Sequence, residues 1–218
     1  MSGPAHLSPN FGNRREDARP TLVVLHYTGM ATHDAALARL CDPAAEVSAH
    51  YLIGIDGTVV VVVDEAQRAW HAGAGAWGRI TDVNSNSIGI ELANPGDCPF
   101  PERQMAALET TLAGAMSRWS ILPQRVIAHS DMAPMRKRDP GPRFDWRRLA
   151  LEGLSIWPDT TAVTSARPFL EAARIFGYPD VPERDVLNAF RLRFRPWAQG
   201  PVDQVDAAMA NDLATRFG

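Results

Sequence analysis

The sequence predicts an α/β domain followed by a small all-helical one, and three observations predict it. Short apolar, β-branched runs alternate with segments of helical period from Thr21 to Leu151. Two extended runs, Ala49 to Ile55 and Thr58 to Val63, flank Asp56-Gly57, the strongest local hairpin sign in the chain. Beyond Gly153 strand patterning stops and three short helical patterns follow.

Met1 to Pro20 is rich in Pro, Gly, Asn and charge, lacks the apolar run of a signal peptide, and reads as an N-terminal extension, residues 1–20. Thr21 to Tyr27 is a buried strand with His26 at its C-terminal end, where open α/β sheets gather ligand-binding groups. Thr32 or Asp34 starts a short helix carrying Ala35, Leu37, Ala38 and Leu40. Residues 68–85 hold two tryptophans, a histidine and several glycines without a period, so they read as a loop walling a groove. In the next strand Ile88, Ile90 and Leu92 share one face, Gly89 and Glu91 the other. A carboxylate inside a strand is costly unless paired, so Glu91 needs a partner or a task. Pro101 and Glu102 open a long amphipathic helix through Met105, Leu108, Leu112, Ala115, Met116 and Trp119. A strand from Arg125 to His129 and a short helix from Asp145 to Leu151 complete a first domain over residues 21–155.

Residues 156–164 read as a linker and 165–218 as a three-helix domain. Phe169 to Phe176, Val186 to Phe194 and Val205 to Phe217 mark its helices. Three helices in so short a stretch share a core only marginally, so they are expected to dock on the first domain.

The 218 residues are 45% hydrophobic and 22% charged with a net charge of −3, which favours neither nucleic acid nor an acidic membrane surface as partner. No stretch is apolar enough for membrane insertion. Cys41 and Cys98 form neither a disulfide framework nor a metal-binding pair and read as free thiols. Free thiols and a leaderless N-terminus make the cytoplasm the expected compartment, the periplasm the alternative, and a monomer the expected state.

The chemistry concentrates between Val126 and Pro142, where a strand loses its pattern after His129 and runs through a cluster of cations to Asp139. His26, His129 and Asp139 can converge from separate elements on one zinc ion (Zn2+). Three protein ligands leave a fourth position open, the arrangement of a catalytic site. The competing reading is a satisfied core histidine and a surface loop with ordinary ion pairs.

Five motifs then occur in order: His26-Tyr27-Thr28, Ser48-Ala49-His50-Tyr51, Ala69-Trp70-His71-Ala72-Gly73, Ser87-Ile88-Gly89-Ile90-Glu91, and Ala128-His129-Ser130-Asp131 with Lys137-Arg138-Asp139-Pro140-Gly141-Pro142. Together they resemble the zinc N-acetylmuramoyl-L-alanine amidases of the AmiD/AmpD type, related to peptidoglycan-recognition proteins and T7-type lysozyme. The C-terminal stretch with Phe190-Arg191-Leu192-Arg193-Phe194-Arg195-Pro196 resembles the peptidoglycan-binding-like helical domain of AmiD proteins. The resemblance implies a mixed central sheet flanked by helices, zinc on His26, His129 and Asp139, and catalytic roles for Glu91 and Lys137. It further implies amide hydrolysis between N-acetylmuramic acid, or its 1,6-anhydro form, and L-alanine of a stem peptide, in cell-wall recycling. Peptidoglycan fragments are the implied partners. A muropeptide-binding module without catalysis, and a secreted or periplasmic enzyme acting on polymeric wall, are the rival readings. His71, Trp70, Trp77 and Arg138 are candidates for the substrate groove, within a wider basic cluster of Arg136, Arg143, Arg147 and Arg148. His50 and His71 are both read as structural or as orienting a neighbouring group before they are read as ligands.

Overall fold

The structure, a computed structural model, describes residues 8–159 and 167–218. His6 and most of the expected linker lie outside them. In chain order the elements are β1 (Phe11–Gly12), β2 (Leu22–Tyr27), α1 (His33–Cys41), β3 (Tyr51–Ile53), β4 (Val59–Val61) and β5 (Arg68–Ala69). There follow α2 (Val83–Asn86), β6 (Ser87–Leu92), α3 (Glu102–Trp119), β7 (Val126–Ala128), α4 (His129–Met132) and α5 (Trp146–Leu151). The chain ends with α6 (Phe169–Phe176), α7 (Glu183–Phe194) and α8 (Gln204–Phe217).

The main sheet has the order β4-β3-β6-β2-β7. β2 runs parallel to β6 and β7, β6 parallel to β3, and only the β3–β4 hairpin is antiparallel, so the sheet is mixed. The hairpin turns where Asp56-Gly57 predicts it: Gly57 takes φ 88° and Asp56 Oδ1 accepts the Thr58 N–H at 2.9 Å.

β2 is apolar on both faces because both are covered. Val23 and Leu25 pack with Leu108 and Leu112 of α3 and Trp146 of α5. Leu22 and Val24 pack instead with Phe169, Phe176, Phe190 and Leu213 of the C-terminal helices. The three helices thus bury the second face of the sheet in one continuous core, each large side chain contributing about 1.5–3 kcal/mol. His26 follows Leu22 and Val24 in the two-residue alternation, and Glu91 lies opposite the face that carries Ile88, Ile90 and Leu92. Both therefore emerge on the face that the C-terminal helices cover in part.

Three segments differ from the expectation. Residues 8–19, expected as an extension, are woven into the fold: Ser8 and Asn10 are buried, β1 pairs with β5, and Arg14 donates to the carbonyls of Ser85 and Glu65 at 2.7 Å. Residues 129–133, expected as loop, are buried in and after a single helical turn, with Met132 in the core. Arg148, expected near the site, instead reaches α3, where it pairs with Glu102 and Glu109. Arg143 and Arg147 are exposed and also lie away from the cleft at the ends of β2 and β6.

Candidate active site

A cleft of about 810 Å³ opens at the C-terminal ends of β2 and β6, lined by His26, Glu91, His129, Lys137, Arg138 and Asp139 among others. Two sets of elements build it. His26 and Glu91 are partners in the parallel register of β2 and β6, so the pleat itself sets their side chains side by side. His129 begins α4 directly after β7, and Lys137 and Asp139 follow on the loop that leaves it.

The three expected ligands meet. His26 Nδ1, His129 Nδ1 and Asp139 Oδ2 stand 2.9 Å from one another along all three edges, and all three residues are buried. Ligands about 2.0–2.1 Å from a tetrahedral zinc are separated by roughly 3.3 Å, so this triangle needs only slight opening to hold an ion.

The surroundings fix which ring nitrogens are free. The Ser87 hydroxyl donates to Val83 O at 2.6 Å, so it can only accept from His71 Nε2, 3.1 Å away. His71 Nδ1 is then bare and accepts from His26 Nε2 at 3.1 Å, which leaves His26 Nδ1 with a lone pair facing the triangle. His129 Nε2 donates to Ala72 O at 2.9 Å and likewise turns a bare Nδ1 inward. Both ligand histidines are thus oriented from residues 71–72, whose N–H groups donate to Asn84 Oδ1 at 3.1 and 2.8 Å. His71 therefore orients the His26 ring as well as bordering the cleft. Gly89 makes room for it, since a Cβ there would stand 2.4 Å from the His71 ring.

The electrostatics agree with a cation site. Burial, aided by the neighbouring His129, pushes His26 down to about 4, so it is neutral and ready to bind at pH 7. Burial pushes the Asp139 carboxyl up, but His129 and His26 outweigh it and hold it well below the usual carboxylate range. Glu91 Oε2 is buried and has no hydrogen-bond partner among the described residues. Burial first, and then the charge of Asp139, push the Glu91 carboxyl up to about 8, with Lys137 pulling the other way. A carboxylate left unpaired in a polar cleft beside three converging lone pairs is poised for proton transfer.

A family profile described as N-acetylmuramoyl-L-alanine amidase matches residues 16–142. The chain belongs to that family. It is 35% identical to N-acetylmuramoyl-L-alanine amidase AmiD of Escherichia coli K12 over 92% of this chain and 84% of that protein. It is also 35% identical to 1,6-anhydro-N-acetylmuramyl-L-alanine amidase AmpD of Enterobacter cloacae, over 65% of this chain and 85% of that one. The solved complex of E. coli AmiD with anhydro-N-acetylmuramic acid-L-Ala-D-gamma-Glu-L-Lys superposes with a TM-score of 0.82 at 34% identity, covering 94% of this chain and 93% of that one. The mixed sheet flanked by helices is the fold of this amidase family.

Of the groove candidates, Trp70 and Arg138 line the cleft of this amidase, as does His71. Trp77 does not. It is 2% exposed and packs edge-on against Phe176 and Tyr178, both ring centroids 5.2 Å away. The glycine-rich loop that carries it has no period, so its burial under α6 leaves no trace in local sequence. His50 is structural as expected, its Nδ1 accepting the Gly89 N–H at 2.9 Å. Arg136 turns from the cleft mouth to the carbonyls of Ala72 and Ala74. Sequence reasoning missed Asn84, and it missed the buried pairing of Asp131 with Arg193: each of these two stands in a motif, but neither motif reports the other as its partner.

Proposed function

We propose that this chain hydrolyses the amide between the lactyl group of N-acetylmuramic acid, in its 1,6-anhydro form, and L-alanine of a stem peptide, using zinc on His26, His129 and Asp139. The observation that carries the proposal is the triangle of ligand atoms, 2.9 Å on each edge, beside the unpaired carboxylate oxygen of Glu91. Zinc held there supplies Lewis acidity, polarising a carbonyl oxygen and lowering the pKa of water to about 7. Glu91 takes a proton from the attacking water as the carbon–oxygen bond forms, then delivers it to the alanine nitrogen as the carbon–nitrogen bond breaks. Lys137 stabilises the negative charge that builds on the former carbonyl oxygen. Arg138, exposed at the cleft edge, meets stem-peptide carboxylates, and Trp70 offers an apolar wall.

The anhydro form is preferred because the AmpD relative is named for it and the similar AmiD structure holds such a ligand. Cell-wall recycling is the matching role. A monomeric state and cytoplasmic residence belong to the same reading, the second of them supported by the free Cys41 and Cys98. Metal analysis combined with turnover of an anhydromuramyl tripeptide tests the chemistry: one zinc per chain and release of a free L-alanine amino terminus are expected. Zinc without cleavage would make the chain a muropeptide-binding module. Faster release from intact sacculi than from the soluble fragment would move it to the wall.

A further inference from the structure

The α4 turn carries more of the site than its four residues suggest. It supplies His129, and its Ser130 N–H donates to the Asp139 carbonyl at 3.0 Å. Ala133, just after it, accepts the Lys137 N–H at 3.0 Å. So short a helix does not hold itself, and its N-cap position is Ala128, which has no capping side chain. Asp131 supplies the other half of a capping box instead: its Oδ2 reaches back to accept the Ala128 N–H at 2.9 Å.

That aspartate is in turn gripped from the C-terminal helices. Arg193 Nη1 of α7 donates to Asp131 Oδ2 at 2.7 Å, and the Tyr178 hydroxyl, after α6, donates to Oδ1 at 2.7 Å. Arg193 also donates to Val126 O at 3.0 Å and lies 4.3 Å over the Trp146 ring, so its guanidinium is itself immobilised. Apolar packing on Met132 keeps the turn buried without setting its rotation, whereas directional, charge-assisted hydrogen bonds do set it. A buried ion pair is a poor source of net stability and a good source of register.

We propose that Arg193 and Tyr178 are positioning residues for the metal centre. Through Asp131 they hold α4 in the orientation that brings His129 and Asp139 onto one ion with His26. This rests on the metal-site reading above, and it gives the C-terminal helices a task inside the catalytic centre.

The test uses the full-length chain with Tyr178→Phe and Arg193→Lys, and Trp197→Ala as an exposed control on the segment after α7. Zinc affinity is read at 25 °C by chelator competition, and backbone hydrogen exchange is read on zinc-free protein. Partners that orient metal ligands are worth about 10–100-fold in affinity; acting one contact further out, Arg193→Lys is expected to weaken zinc about tenfold and Tyr178→Phe about threefold. Exchange should quicken at residues 128–140 and stay unchanged at residues 22–27. Zinc affinity within twofold of wild type in both variants, with only a lowered Tm, overturns the proposal. Should Arg193→Lys fail to fold, Tyr178→Phe decides alone, because it leaves the ion pair intact. If zinc and exchange respond as expected while no amide is cut, the amidase reading falls and the positioning role stands.

Discussion

The two halves of the site are held by different physics. His26 and Glu91 sit on neighbouring parallel strands, where backbone register and two covered sheet faces fix them many times over. His129, Lys137 and Asp139 hang from one helical turn and its following loop, where a few polar ties do the same work. The sheet half is rigid by redundancy, the loop half by a small number of directional contacts. In the proposed function, one ligand and the base come from the first half, and two ligands with the cation come from the second.

Ligand removal should erase that difference and give the largest effect. His26→Ala and Asp139→Ala each leave two donors, so both should release zinc and lose about 10⁴-fold or more in kcat/KM, since proton transfer and charge stabilisation fail together. Metal content after dialysis and steady-state rates check it. Equal losses from the two halves are expected here and nowhere else.

The next pair separates the halves again. Glu91→Gln should keep its zinc and lose about 10²–10⁴-fold in kcat. Lys137→Ala should lose about 10²–10³-fold. The two should change the pH profile differently: Glu91→Gln removes the acid limb that Glu91 sets, whereas Lys137→Ala keeps the limb and moves it. Glu91 works deprotonated, and Lys137 holds its pKa down, so removing the lysine raises that pKa and shifts the acid limb to higher pH. Rate–pH curves of the two proteins check the sign.

The sheet half is the more legible in sequence, for the same reason that it is rigid. Alternation in Ser87–Leu92 reports its faces directly and sets Glu91 opposite the isoleucine face, while the unbroken apolar run of residues 22–25 reports a strand covered on both sides with His26 near its end. The convergence of His26, His129 and Asp139 is legible in part, because the charged stretch that ends at Asp139 reads as a loop, although Met132 within it is core. What holds that stretch is not legible. Arg193 lies 62 residues from Asp131, and within α7 it looks like any other arginine of a basic helix. Trp77 reads as a groove wall because its cover, Phe176 and Tyr178, arrives about a hundred residues later by tertiary docking, which local pattern does not report.

A smaller perturbation probes how redundant the sheet half is. Gly89→Ala places a methyl group 2.4 Å from the His71 ring, which must move and with it the hydrogen bond to His26. Overpacking of this kind costs about 1–3 kcal/mol. Denaturant unfolding should show that loss, with zinc affinity falling as the His26 ring loses its orienting partner. If affinity holds, strand register alone fixes His26.

Acid should take the halves apart in order, with the smallest shift of all. His26 and His50 are pushed down to about 4 and His71 well below its ordinary value, in each case by burial first. An unfolded chain binds those protons near pH 6.5, so folded stability is full above 6.5 and drains as pH falls toward 4. Asp139 is depressed instead, so its contribution persists until pH drops below the ordinary carboxylate value of 3.8. The histidine side therefore gives way first. Zinc competes with protons at His26 Nδ1, so the loaded protein should unfold at lower pH than the zinc-free one, by about one unit or less. Tryptophan fluorescence along an acid titration, with and without chelator, reads this directly, and coincident midpoints would place the first protonation away from the metal ligands.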